Sequence, residues 1–348
     1  MKTIILTGGG TAGHVMPHLA ILEDLKKHFD KIIYIGSTNG IERKIIEECG
    51  IKYYPVTTVK FIRKLTFKNL LIPFKLIKGI KECKNIIKKE KPNVIFSKGG
   101  FVAVPVALAA NKLKIPVVAH ESDLTLGLAN KIIYKKCKVM CTSFDVTAES
   151  LKKGFYSGPP LRPSLFKGNK EKANVSCDKN KKTLLVIGGS LGSKAINSVI
   201  FESAESLCRK LNVVHIVGKG NLTNLPLPNN YTQIEFTSQI EDIFALSDYV
   251  ISRAGSNAIF EFIALKKPLI LIPLPKTQSR GDQLLNTEYL LKNKLALSIS
   301  QDKLNSESLL NGIEQLIKEE SILKNQIENF TLPNGNKNLL QKILLYSN

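Results

Sequence analysis

One repeated pattern constrains this fold more than any other: a short apolar run enters a glycine-rich turn, and a stretch of helical period leaves it. Leu6-Thr7-Gly8-Gly9-Gly10-Thr11-Ala12-Gly13 closely resembles Val186-Ile187-Gly188-Gly189-Ser190-Leu191-Gly192-Ser193, with the first glycines 180 residues apart. A duplicated strand, glycine turn and helix implies two Rossmann-like domains, each opening with its own loop. Further apolar runs at Lys31–Gly36, Val94–Ser97, Pro116–His120, Val139–Thr142, Asn212–Val217, Tyr249–Ser252 and Leu269–Leu274 join Thr3–Thr7 and Thr183–Gly188 as expected strands. Most precede ten or more residues of helical period, so the expected class is α/β with doubly wound parallel sheets. Gly158-Pro159-Pro160-Leu161-Arg162-Pro163 and the polar stretch Lys167 to Lys182 mark the linker. The expected division is 1–160, 161–335, and a closing amphipathic helix, 336–348, that can pack on either domain, the N-terminal one included.

Length and composition narrow the class. A chain of 348 residues suits two domains, and 43% hydrophobic with 23% charged residues suits a folded globular protein. The longest nearly unbroken apolar stretch, Phe101 to Ala110, contains Pro105 and is half the roughly 20 residues that span a bilayer. The N-terminal run is too short for a signal peptide, which leads to a cytoplasmic expectation. Six scattered cysteines without a CxxC pair imply neither disulfides nor zinc. The net charge of +21 has two readings, an acidic partner or a Lys-, Asn- and Ile-rich compositional bias, between which placement of the charge decides.

Three loops carry candidate chemistry. Gly8, Gly10 and Gly13 match G-x-G-x-x-G, but the expected second strand ends Ile35-Gly36-Ser37-Thr38 without the acid that would hold an NAD ribose. The next carboxylate, Glu42, falls inside a helical stretch, which argues against NAD. Gly188 to Lys194 misses the P-loop pattern at Ser193 and Ala195 and leaves a Gly-Gly-Ser turn whose amides and Ser190 hydroxyl suit a pyrophosphate. Arg253-Ala254-Gly255-Ser256-Asn257 precedes a helix for which Ser256 is the expected N-cap. Glu261, about 8 Å further along the axis, is placed to accept both hydroxyls of a ribose. With the polar loop through Asp282 and Gln283, these turns converge on the edge where open α/β sheets bind ligands.

Six ordered segments together resemble the MurG family of UDP-N-acetylglucosamine transferases, GT-B enzymes that make lipid II from lipid I in peptidoglycan synthesis. They are Gly9–Val15, His120–Asp123 with Gly127–Lys131, Gly158–Arg162, Gly188–Gly192, Ser252–Gly255 with Glu261, and Asp282-Gln283 with Asn286. The resemblance covers essentially the whole chain. It implies two Rossmann-like domains facing across a cleft, the second holding UDP-GlcNAc. By that likeness Ser190, Gly189 and Arg162 take the diphosphate, Glu261 takes the ribose, and backbone near Phe236, Thr237 and Arg253 reads uracil. Asp282 and Gln283 take the sugar, and Thr11, Ala12, Gly13, Asp123, Gly255 and Ser256 complete the donor site. Asn130 stands on the acceptor side. The family often has Gln at Asp282 and at Leu191, and Asn at Asp123.

The same likeness implies inverting attack by the acceptor 4-hydroxyl, with His14 or Glu121 as base, no tightly bound cofactor and no protein-bound metal. Glu121-Ser122-Asp123 is the nearest approach to the Asp-x-Asp of metal-dependent transferases. His14 and His18 form H-x-x-x-H, but Pro17 and the missing Glu set them apart from a zinc-protease helix. From Lys60 to Lys91 there are eleven Lys or Arg against two acids, interleaved with apolar residues. Phe61, Lys64, Phe67, Lys68, Phe74 and Lys75 are the expected contacts to an anionic membrane surface. Lipid I, the cytoplasmic face of the cell membrane and other cell-wall synthesis proteins are the implied partners. Nucleic acid is not, because no RNP-like strand, zinc finger or helix-turn-helix pattern is present.

Overall fold

The computed structural model describes residues 1–58, 72–189 and 191–348, and the chain divides into two compact units. One comprises Met1–Arg162 with Pro333–Asn348, the other Pro163–Leu332. Among the described residues the first unit carries seven strands: β1 (Thr3–Thr7), β2 (Lys31–Ser37), β3 (Lys52–Val56), β4 (Val94–Ser97), β5 (Val117–Glu121), β6 (Val139–Thr142) and β7 (Gly154–Tyr156). All pair in parallel, in the order β3-β2-β1-β4-β5-β6-β7.

Successive side chains of a strand point to opposite faces, so a strand covered on both faces must be apolar throughout. Ile5 of β1 enters a core with Ile33, Ile95, Cys83, Ile87 and Val106, whereas its neighbours Ile4 and Leu6 enter another with Leu25, Phe29, Leu339 and Ile343. The closing helix Gly335–Leu345 thus covers one face, and helices Ile72–Glu90 and Ala103–Lys112 cover the other. Asn336 fixes the closing helix at its start. Its Nδ2 donates to the carbonyls of Ala20 at 3.1 Å and Leu161 at 2.8 Å, and its Oδ1 accepts from the Leu161 N–H at 3.0 Å.

The second unit repeats the plan with β8 (Thr183–Ile187), β9 (Asn212–Ile216), β10 (Tyr231–Ile234), β11 (Tyr249–Ser252), β12 (Leu269–Leu271) and β13 (Leu297–Ser298), all parallel in the order β10-β9-β8-β11-β12-β13. Leu184, Val186, Ile251 and Ile270 pack there against Ile196, Ile200, Leu309 and Ile313. Strand order reverses between β1 and β4 and again between β8 and β11. Crossovers leave such a point toward opposite faces, which opens a crevice at the strand C-termini.

All nine strands expected from the sequence are present, with ends shifted by up to three residues; the run Leu269–Leu274 pairs only to Leu271. The four that the sequence reading missed, β3, β7, β10 and β13, are the edges of the two sheets. Edge strands are half-solvated and lose the continuous apolar run. On β3 only Val56 is buried, and Pro55 sits where an edge tolerates a missing N–H.

Glu90, at the end of its helix, holds the β3 edge. Its carboxylate accepts from the Tyr54 hydroxyl at 2.5 Å, from the Lys52 ammonium at 3.2 Å and from the Lys31 ammonium. Burial alone would raise the Glu90 carboxyl, but these donors more than offset it and hold it at about 2. The folded value lies below the ordinary 4.5, so the stabilisation is present above that pH and is lost as pH falls toward about 2. Glu90→Gln should therefore cost about 2 kcal/mol at pH 7, a figure discounted because both lysines keep one side in water. In thermal melts the gap between wild type and variant should close between pH 4.5 and about 2. A gap independent of pH would show that the charge is not what holds the edge.

Candidate functional site

The second unit contains a cavity of about 570 Å³ lined by the loops after β8, β11 and β12, at its strand-order reversal. Gly188, Gly189, Gly192 and Ser193 form one wall. Gly189 and Gly192 have φ of +100° and +72°, and a Cβ on Gly192 would stand 1.8 Å from the Val217 carbonyl oxygen, so only glycine fits. Ser193 caps the helix Lys194–Glu202, its Oγ accepting from the Ile196 N–H at 3.4 Å. Backbone N–H groups at that helix start give the wall a preference for anions. Ser190 lies outside the described residues.

The opposite wall carries Arg253, Gly255 and Glu261. Ser256, the expected N-cap, is instead the first residue of the helix Ser256–Ala264, and Gly255 holds the cap position with an extended backbone. The helix thus begins one residue earlier, and the buried Ser256 makes no side-chain cap bond. Arg253 is a structural junction rather than an open cation. Its guanidinium donates to the Ile272 carbonyl at 2.9 Å, the Ser193 hydroxyl at 2.7 Å and Gln301 Oε1 at 2.6 Å, tying the loop after β11 to those after β8, β12 and β13. Burial pulls its pKa below the ordinary value.

The loop after β12 closes the cavity with Leu274, Gln278 and Gln283. Gln283 Oε1 accepts from the Leu274 N–H at 3.0 Å, and Asp282 pairs with Arg280 at 3.3 Å. Asn286 Nδ2 donates to the Ala254 carbonyl at 3.1 Å, fastening this helix to the preceding loop. Phe236 and Thr237 follow β10 and are not part of the cavity wall; Phe236 is 75% exposed.

In the first unit the matching loop is already filled. Glu42 is fully buried in the first turn of the helix Ile41–Glu48, and its carboxylate accepts from the N–H and hydroxyl of Ser37 at 3.0 and 2.5 Å and from the Gly10 N–H at 3.3 Å. A Cβ on Gly9 would lie 2.6 Å from that carboxylate. This carboxylate, read from the sequence as too far along, does reach the end of β2, but it serves the protein's own amides. Beyond it, Thr11 and Gly13 are exposed and His14 is partly so, with Nδ1 at 2.8 Å from the Thr11 hydroxyl. Four residues on, His18 is fully buried against Tyr34 and Phe96, and burial, Lys98 and His14 lower its pKa to about 3.

Glu121 ends β5 with a buried carboxylate that accepts from the N–H groups of Asp123 and Gly127 at 3.1 and 2.9 Å and from Asn130 Nδ2 at 2.9 Å. Burial, then the neighbouring Asp123, raises its pKa, while those donors oppose the shift. Asn130 also donates to the His120 carbonyl at 3.2 Å, and its buried Oδ1 lies where a Cβ on Gly99 would fall. Lys98, absent from the sequence reading, is buried beside these groups. Its signal was available: Lys98-Gly99-Gly100 follows an expected strand as the other glycine turns do, and both glycines have positive φ.

On the helix Ile72–Glu90, Phe74 and Ile77 are 72% and 65% exposed beside exposed Lys75, Lys78 and Lys81. Phe61, Lys64, Phe67 and Lys68 lie outside the described residues. Arg162 is partly exposed at the end of the first unit's long segment. Among the described residues no helix is long and apolar enough to cross a membrane, and no group of His, Cys, Asp or Glu is arranged to hold a metal ion.

Two family models match the chain: the glycosyltransferase family 28 N-terminal domain over residues 4–142 and the family 28 C-terminal domain over residues 183–342. A Clostridium botulinum protein named UDP-N-acetylglucosamine–N-acetylmuramyl-(pentapeptide) pyrophosphoryl-undecaprenol N-acetylglucosamine transferase is 46% identical over 353 aligned positions, covering 100% of both chains. A Clostridium perfringens protein of the same name is 46% identical over 346 positions, covering 98% of this chain and 97% of that one. The crystal structure of Acinetobacter baumannii MurG superposes with a TM-score of 0.80 at 24% identity, covering 99% of this chain and all of that one, which shows a shared fold.

The junction at Arg253 generates a prediction. Arg253→Lys keeps the charge but loses the fork that reaches three acceptors, so it should destabilise the second unit by about 2 kcal/mol and lower its melting temperature. An unchanged melting temperature would remove Arg253 from this role.

Proposed function

The chain belongs to glycosyltransferase family 28, and on that premise we propose that it transfers N-acetylglucosamine from UDP-N-acetylglucosamine to the MurNAc 4-hydroxyl of undecaprenyl-pyrophosphoryl-MurNAc-pentapeptide, lipid I, giving lipid II with inversion at the anomeric carbon. The observation that carries the reading is end-to-end identity of 46% with transferases of that name. In support, the second unit has an anion-favouring cavity at its strand-order reversal, where open sheets bind nucleotides.

In this reading the second unit takes the donor. The Gly189 amide and Ser190 receive the diphosphate, and Arg162 of the first unit is the further expected contact. Glu261 accepts from the ribose hydroxyls, and Asp282 and Gln283 contact the sugar. Phe236 and Thr237, outside the cavity wall, are the weakest of the expected contacts; Arg253 and Ser256 act by shaping the loop. The first unit takes the acceptor, with Asn130 on the acceptor side, and Thr11, Ala12, Gly13 and Asp123 are the expected donor contacts that fall in this unit.

As the acceptor oxygen bonds to the anomeric carbon, the carbon–oxygen bond to UDP breaks. The electron pair leaves on the β-phosphate, where backbone N–H groups stabilise it. The acceptor's proton goes to His14. Thr11 faces Nδ1, so a neutral ring whose Nδ1–H donates to Thr11 presents Nε2 as the base. Glu121 is the poorer candidate, because three donors already occupy its carboxylate.

Transfer from UDP-N-acetylglucosamine should require the lipid-linked acceptor. Glu261→Ala should raise the donor KM by about 10- to 100-fold, the worth of one charge-assisted hydrogen bond, with the melting temperature kept. His14→Ala should instead lower kcat by about 10² or more while donor affinity holds. Consumption of UDP-N-acetylglucosamine without acceptor would point to another nucleotide-sugar reaction, and an unaltered kcat in His14→Ala would pass the base to Glu121.

We further propose that the segment from Lys60 to Lys91 docks the enzyme on the cytoplasmic face of the cell membrane, the exposed Phe74 and Ile77 entering the interface and the lysines meeting anionic headgroups. Vesicle binding should require anionic lipid and weaken with salt, as the Debye length shrinks from about 10 Å at 0.1 M to about 3 Å at 1 M. Phe74→Ser, or Lys75, Lys78 and Lys81 to Gln together, should lose vesicle binding with the melting temperature retained. Equal affinity for neutral vesicles would return the lysine excess to compositional bias.

A further inference from the structure

Among the described residues Lys98 is the one lysine that is fully buried, 3% exposed. An apolar side chain of equal length would fill the same space without the desolvation of an ammonium, so the charge calls for a reason. Its Nζ lies 2.5 Å from His120 Nδ1 and 2.6 Å from the Ser122 hydroxyl. On the far side of the imidazole, Nε2 faces the Gly158 carbonyl at 3.5 Å. A ring whose Nε2 faces an acceptor and whose Nδ1 faces an ammonium has one compatible neutral state, with its proton on Nε2. The ammonium and the Gly158 carbonyl together set the tautomer of His120, and the ammonium fixes its Nδ1 edge.

Lys98 also occupies a meaningful place in the fold. It follows β4, beside β1, at the reversal of strand order in the first sheet. Arg253 follows β11 at the corresponding place in the second, and the local sequences Ser97-Lys98-Gly99-Gly100 and Ser252-Arg253-Ala254-Gly255 correspond. Arg253 fastens three loops around the cavity of its unit. Lys98 reaches sideways in the same way, from β4 to the end of β5. The titratable groups around it are His18 on the helix Met16–Ala20, His120 and Glu121 on β5, Asp123 in the next loop and Cys141 on β6. Burial lowers the ammonium pKa to about 7 against the opposing charges of Glu121 and Asp123.

We propose that Lys98 is the positioning residue of the acceptor loop, holding His120 to Asp123 in register through His120 Nδ1 and Ser122 Oγ. The proposal rests on the reading of the first unit as the acceptor side. It assigns Lys98 no contact with the reacting atoms.

Two readouts on the full-length protein test it. In steady-state transfer with UDP-N-acetylglucosamine and a lipid-linked acceptor, Lys98→Met should lower kcat/KM for the acceptor by about 100-fold, the cost typical of a 1 Å misplacement, while the donor KM stays within about twofold. In histidine-labelled protein, nitrogen NMR should show His120 as the Nε2–H tautomer in wild type, and in Lys98→Met the Nδ1 resonance should shift because its ammonium donor is gone. Should the Met variant not fold, Ser122→Ala removes one of the two acceptors and should shift acceptor kinetics alone, by about tenfold. Unchanged acceptor kinetics in a folded Lys98→Met protein, or equal losses toward donor and acceptor, would overturn the proposal. If wild type transfers nothing to the lipid-linked acceptor, the functional reading falls, and the histidine spectrum still decides: an unchanged His120 signal in Lys98→Met rejects Lys98.

Discussion

The Gly10 N–H donates to the carboxylate of Glu42 at 3.3 Å, and on that contact rests the difference between two loops of closely similar sequence. Both follow the first strand of a parallel sheet, and both stand at a reversal of strand order. Such a place offers backbone N–H groups to an anion. In the first unit the anion belongs to the chain itself: Glu42 engages Gly10 and Ser37, and Gly9 and Gly40 leave room for it by lacking side chains. The loop after β8 is instead shaped by Gly189, Gly192 and the Ser193 cap, and forms one wall of the cavity. The difference between the two loops thus begins with one carboxylate.

A second asymmetry grows from the residues after β4 and β11. Each is basic, each is buried, and each donates mainly to neutral acceptors rather than to carboxylates. Arg253, with a planar fork, gathers three loops; Lys98, with a point charge, holds one histidine and one serine. Neither would be retained for stability alone, since a buried charge is a poor substitute for apolar packing. Loops that must hold their shape beside a ligand are a better reason.

Much of this was legible in the sequence, for identifiable reasons. Interior strands such as Val94–Ser97 and Tyr249–Ser252 are buried along their whole length and apolar up to a closing serine because both faces are covered, whereas β3, β7, β10 and β13 are edges whose patterns dissolve into polar residues. Glycines announced the loops because positive φ at Gly10, Gly189 and Gly192 excludes most other residues. What the sequence withheld were contacts made across distance: Glu42 with Gly10, Arg253 with Ser193 and Gln301, Lys98 with His120. No local period encodes such pairs. Ser256 shows the converse limit, since a hydroxyl beside a helix start suggested a cap that Gly255 already supplies. The basic segment was visible as composition, and exposed Phe74 and Ile77 give its described part a surface role.

The central claim is that the loop after β8 receives the diphosphate while Glu42 keeps the loop after β1 from doing so. Amide hydrogen exchange, with and without UDP, measures this directly because it reads the backbone N–H groups of both loops in one experiment. Binding of UDP should slow exchange at Gly188 to Ile196 and along the turn from Arg253 to Glu261, and leave Gly8 to Gly13 unchanged. Slowed exchange at Gly8 to Gly13 with no protection at Gly188 to Ile196 would contradict the account.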